Sequence, residues 1–92
     1  MSASAMASIL DEVHLSPSEQ KILKFIPENG ETTTKKMAAR YYRADGEVPH
    51  NGQIVISNIV RSLEKKTART SVRVKRGGRK GPHAMTVWLE RS

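Results

Sequence analysis

The amino-acid sequence predicts an α+β fold in which a three-helix core is followed by a C-terminal β-hairpin. Two periodicities carry that expectation. Apolar residues recur at helical spacing in three stretches between Ser16 and Lys66, and from Val72 onward the pattern changes to strict alternation. Segments rich in glycine, proline and threonine, near 27 to 34 and 44 to 52, separate the stretches and supply the turns. Ninety-two residues fit one small domain, and a chain of this size buries only about 60% of its unfolded surface, so the core has to be compact.

Residues 1 to 14 are expected to be a flexible or short helical segment, with Ile9, Leu10 and Val13 at helical spacing, and residues 15 to 92 form the domain. Ser16-Pro17-Ser18-Glu19 sets a hydroxyl at the N-cap, proline at the first helical position and a carboxylate three residues on, which is a capping box. Leu15 stands opposite Gln20, so an apolar staple is not expected. Ile22, Leu23 and Ile26 form the inward stripe with Phe25 alongside, and Pro27 and Gly30 stop this first helix, placed at about 17 to 27. Glu31-Thr32-Thr33-Thr34 suits one rung of a strand followed by a threonine N-cap.

A second helix is expected at about 34 to 43, with Met37, Ala38 and Tyr41 inward and Lys35, Lys36, Arg40 and Arg43 outward. After the long connector at 44 to 52, Ile56, Ile59, Val60 and Leu63 recur at i, i+3, i+4 and i+7, giving a helix over about 52 to 66. Val72 and Val74 then alternate with Arg73 and Lys75, and Met85, Val87 and Leu89 with Thr86 and Trp88, as two strands of a hairpin. Its tip, Lys75-Arg76-Gly77-Gly78-Arg79-Lys80-Gly81-Pro82-His83, is basic and rich in glycine.

The net charge of +7 is unevenly distributed. Residues 1 to 31 hold two lysines against five carboxylates, a net of −3, so residues 32 to 92 carry +10. Arg61 to Lys80 alone contain nine basic residues and one acid, Glu64. Such a stripe is the footprint of a polyanionic partner, because each phosphate that is neutralised releases condensed counterions.

The element order, and in particular Ile56-Ser57-Asn58-Ile59-Val60-Arg61-Ser62-Leu63-Glu64-Lys65-Lys66 followed by a basic hairpin, resembles a winged helix-turn-helix domain. The helix is similar to the recognition helix of MarR-type transcriptional regulators. The chain departs from that pattern in three ways: it leaves no room for the extra helices of dimerisation and ligand binding, Thr67 stands where glycine is usual, and the 44 to 52 connector is long. The resemblance implies a sequence-specific double-stranded DNA-binding protein, a small transcriptional regulator. The other uses open to such a module are replication, recombination or plasmid and phage maintenance, structured RNA, and an acidic protein partner.

In helix-turn-helix docking the start of the recognition helix meets base edges. Gln53, Ser57, Asn58 and Arg61 are then the candidates for base contact, since asparagine or glutamine can bond adenine with two hydrogen bonds and arginine suits guanine. Candidates for backbone or wing contact are Arg73, Lys75, Arg76, Arg79 and Lys80 on the hairpin, and Thr33, Thr34, Lys35 and Lys36 at the start of the second helix, where the dipole favours phosphate.

Enzyme chemistry is not expected. Gly77-Gly78-Arg79-Lys80-Gly81 lacks the spacing and the strand-to-helix context of a P-loop, there is no cysteine, and His14, His50 and His83 are too scattered to suggest a metal site. No cofactor and no small-molecule ligand is indicated. The absence of a long apolar run and of a secretory signal points to a cytoplasmic location, nucleoid-associated or nuclear in a eukaryote, without a membrane partner. A homodimer is the possible second partner, through residues 8 to 14 or through Trp88, which alternation sets on the face opposite Met85, Val87 and Leu89.

Overall fold

The computed structural model describes residues 5–43, 46–79 and 85–91. Within them lie four helices, α1 (Ala5–Glu12), α2 (Pro17–Phe25), α3 (Thr34–Tyr41) and α4 (Gly52–Lys66), and three strands, β1 (Glu31–Thr33), β2 (Val72–Arg79) and β3 (Met85–Arg91). The strands form one antiparallel sheet in the order β1-β3-β2. The architecture is therefore α+β. Residues 1–4, the connector residues 44 and 45, the hairpin tip 80–84 and residue 92 lie outside the described set.

Within the N-terminal segment, α1 packs into the domain core. Ile9 is fully buried in the core and Val13 packs against it, while Leu10 points outward. Glu12 fixes the end of α1 by accepting from the backbone N–H of Ser71 at 3.1 Å and from its hydroxyl at 2.8 Å. Both halves of the capping box form at α2: Ser16 Oγ accepts from the Glu19 N–H at 3.3 Å, and Glu19 Oε1 accepts from the Ser16 N–H at 2.9 Å. In place of an apolar staple, Gln20 donates its side-chain amide to the Leu15 carbonyl at 3.0 Å, and Leu15 is buried.

Helix α2 ends at Phe25, two residues before the expected limit. Ile26 is already extended, at φ −85° and ψ 120°, because the ring of Pro27 disfavours helical geometry in the residue before it. Gly30 at φ +127° then reverses the chain into β1, a conformation that side chains disfavour. Thr33 closes β1 and caps α3, its hydroxyl accepting from the Lys36 N–H at 3.1 Å. Helix α3 stops at Tyr41 rather than 43.

Helix α4 has the expected bounds. Ile56, Val60 and Leu63 are fully buried and Ile59 packs at the edge of the same core, with Ile22, Leu23, Met37 and Ala38 from α2 and α3. Gly52 permits close passage of the connector over its first turn: a Cβ there would lie 2.6 Å from Val48 Cγ1 and 3.0 Å from Tyr42 Cε2. On the sheet, Val72, Val74 and Val87 face this core. The register sets Arg73 opposite Glu90, Lys75 opposite Trp88 and Gly77 opposite Thr86 on the other face, with Glu31 of β1 also in register with Trp88.

Thr67 explains why glycine is not required after α4. It sits at φ −97°, which any residue adopts, and is fully buried. Its hydroxyl donates to the Leu63 carbonyl at 2.8 Å and accepts from the Val74 N–H at 2.9 Å, tying the helix end to the strand. The Thr70 hydroxyl donates to the Val72 carbonyl. Because β2 is an edge strand, these two hydroxyls occupy backbone groups that would otherwise be open to another chain.

Candidate nucleic-acid interface

Helix α4 sorts its side chains by angle around the axis. Ile54, Asn58, Arg61 and Lys65, at i, i+4, i+7 and i+11, are all exposed and form a continuous outward stripe. Gln53 and Ser57 are half-buried on one flank of it, beside Glu64. The structure thus brings Asn58 and Arg61 together on the most exposed line and sets Gln53 and Ser57 at its edge. Ile54, an apolar residue on this exposed line, is not among the sequence-based candidates. The angular signal was available: Ile54 precedes buried Ile56 by two residues, about 200° of rotation.

Two charged side chains of α4, Lys66 and Glu64, are committed to the fold. Lys66 donates to Glu19 Oε1 at 2.7 Å, and Ser62 donates to Glu19 Oε2 at 2.5 Å. Burial of Glu19 works against its charge, but the Lys66 ammonium, the Ser62 hydroxyl and the contacts with Ser16 outweigh it and hold the carboxyl down at about 2, from an ordinary 4.5. The Glu64 carboxylate, the only one in Arg61 to Lys80, is turned to Arg76 at 3.1 Å and so faces away from the stripe.

The ion pair also redefines Arg76. It was expected to reach DNA from the wing, yet it shares the core-facing side of β2 with Val72 and Val74, and its guanidinium bridges Glu64 and Met85 Sδ, at 3.1 and 3.5 Å. Period-two alternation from Val74 requires this placement. Arg73 lies on the other face, 3.7 Å from Glu90, with its Nε buried and without a hydrogen-bond partner. Lys75, between them in sequence, is half-exposed beside Trp88. The Arg79 backbone pairs with Met85 after a bulge that follows Gly77, and Lys80 lies outside the described residues.

At the start of α3, Lys35 and Lys36 are exposed, whereas the two threonines are already engaged. Thr33 caps the helix, and Thr34, expected to meet a phosphate, is instead fully buried: its hydroxyl accepts from the Met85 N–H at 3.1 Å, which withdraws it from any phosphate. Nearby, Lys21 lies 4.7 Å above the ring of Tyr41 and Arg40 4.8 Å above that of Phe25, so both tyrosine and phenylalanine serve packing between α2 and α3.

Trp88 lies on the outer face of the sheet, with its ring against Gly77, where a Cβ would come within 3.2 Å of Trp88 Cη2. Helix α1 lies elsewhere, meeting the core through Ile9 and adjoining β2 and α2. An open cleft of about 430 Å³ runs between the start of α2 and α4, with Val55, Ile59 and Asn58 along one wall and Ser16 and Ser18 along the other.

Among the described residues no helix is long and apolar enough to cross a membrane. Among the same residues no group of three histidine, cysteine or acidic side chains is arranged to hold a metal ion. No protein-family model, curated protein or solved structure matches the chain.

Proposed function

We propose that residues 15–92 act as a winged helix-turn-helix module that binds double-stranded DNA sequence-specifically, in the manner of a small transcriptional regulator. In this reading α4 enters the major groove and the β2–β3 wing, residues 73–83, lies on the backbone or in the adjacent minor groove. The order of α2, β1, α3, α4, β2 and β3, with β3 paired between the other two strands, supports the winged-helix assignment.

The observation that carries the functional reading is the outward stripe of α4. It contains an amide, Asn58, in the N-terminal half, followed by two cations, Arg61 and Lys65, and no carboxylate. Asparagine is a donor and acceptor pair matched to adenine N7 and N6, worth about 1–3 kcal/mol of discrimination when both bonds form. Gln53 and Ser57 on the flank would read the neighbouring base or a phosphate, while Arg61 reaches guanine or phosphate one turn on. Lys35, Lys36 and Lys75 supply sequence-independent backbone contacts, which position the module and carry no sequence information.

The test is fluorescence anisotropy of the protein against a random duplex pool, single strands and RNA over a salt series, followed by selection of bound duplexes. A duplex binder loses affinity with a log-log slope near −0.9 for each phosphate neutralised, and selection enriches one motif. Equal weak binding to every polyanion, without enrichment, defeats the proposal. Sedimentation of the free and bound protein reads whether a second copy joins; a two-fold dimer would require half-sites about one helical turn apart.

A further inference from the structure

Two β-branched apolar side chains in the first turns of α4 stand outside the core. The helix already fills its inward face with Ile56, Val60 and Leu63, yet Ile54 is 52% exposed and half-buried Val55 lines the open cleft beside Asn58. Single exposed aliphatics are ordinary on protein surfaces. Ile54, however, is the most exposed large apolar residue among those described, and it sits one turn before Asn58 on the line that continues to Arg61.

We propose that Ile54 reads the 5-methyl group of thymine, making the module selective for a thymine next to the base pair that Asn58 contacts. This rests on the duplex-DNA reading of α4. An aliphatic side chain has no donor or acceptor to offer a base edge, and among the four bases the major groove presents one apolar group, the thymine methyl. Adenine, the base matched to asparagine, carries thymine as its partner, so an A·T-containing step suits both residues at once. The β-branch of Ile54 restricts its rotamers, so little freedom is lost when the methyl is covered.

The test uses a duplex selected by the wild-type protein from a random pool, resynthesised with deoxyuridine replacing each thymidine in turn. Uracil removes the methyl and leaves the hydrogen-bonding edge intact. At one position or more, the replacement should lower wild-type affinity about fourfold, equivalent to the ~0.8 kcal/mol of one buried methyl group. Ile54→Ala should bind the thymine and uracil forms equally at that position and keep the wild-type salt slope, because it removes no charge. Unchanged binding to every uracil probe by the wild type overturns the assignment, as does uracil sensitivity that persists in Ile54→Ala. If no duplex is enriched at all, the duplex reading itself falls and the Ile54 assignment with it; binding that is specific but indifferent to uracil removes only Ile54.

Discussion

Replacing Glu19 by glutamine tests how α4 is held against α2. The carboxylate is 6% exposed and joins α2 to the last turn of α4 through Lys66 and Ser62, while its other contacts close the capping box with Ser16. Its pKa lies at about 2 in the folded protein, against an ordinary 4.5. At 1.36 kcal/mol per pH unit, the charged form then contributes at most about 3 kcal/mol. Lys66 is 42% exposed, so solvent screening lowers the expected contribution to about 2 kcal/mol. A carboxyl whose folded pKa is depressed stabilises the protein above the unfolded value and stops doing so as pH falls through the folded value. The contribution is therefore complete above about pH 4.5 and declines towards pH 2. Urea unfolding followed by far-UV circular dichroism at several pH values between 7 and 2 measures it. Glu19→Gln should be about 2 kcal/mol less stable than the wild type at pH 7, with the gap closing towards pH 2. A gap below about 0.5 kcal/mol at neutral pH, or one that does not narrow in acid, would refute the clamp.

Three other outcomes follow from single contacts. Thr67→Val should destabilise the protein by about 1–3 kcal/mol in the same unfolding assay, because it strands the buried Val74 N–H, whereas Thr67→Ser should recover most of the loss. Ile9→Ala should cost about 2–4 kcal/mol if α1 is part of the cooperative core; a stability equal to the wild type would detach α1 from the domain. Arg76→Ala should act on stability more than on the salt dependence of the proposed duplex binding, since its guanidinium is already paired with Glu64, and a slope change as large as that of Lys65→Ala would contradict that role.

Local signals in the sequence were sufficient for most of the elements. The capping box at Ser16, the threonine cap at Thr33 and the apolar stripe of α4 each depend on residues within a turn of one another, and each reappears in the structure. Helix α2 ended early because Pro27 restricts the residue before it, a local effect that the expected boundary did not apply to Ile26. The candidate interface was legible in part, because angle around α4 separates Asn58 and Arg61 from the core, and the same angle would have found Ile54. Pairing at long sequence separation left no such trace. Glu19 with Lys66, Thr34 with Met85 and Ile9 with the core join residues brought together only by the tertiary fold. Arg76 is intermediate: alternation puts it on the inner face, but charge alone made it resemble its neighbours on the hairpin.

If the outward stripe of α4 grips duplex DNA, its two cations set part of the salt dependence of binding. The most direct test is therefore the salt dependence of duplex affinity for the wild type and for a variant carrying Arg61→Ala and Lys65→Ala, neither residue being paired with an acid among the salt bridges described. The variant is expected to bind more weakly, with a log-log slope shallower by about 0.9 for each phosphate it no longer neutralises. Wild-type affinity and slope in the variant, with its fold intact by circular dichroism, would contradict that role for the helix.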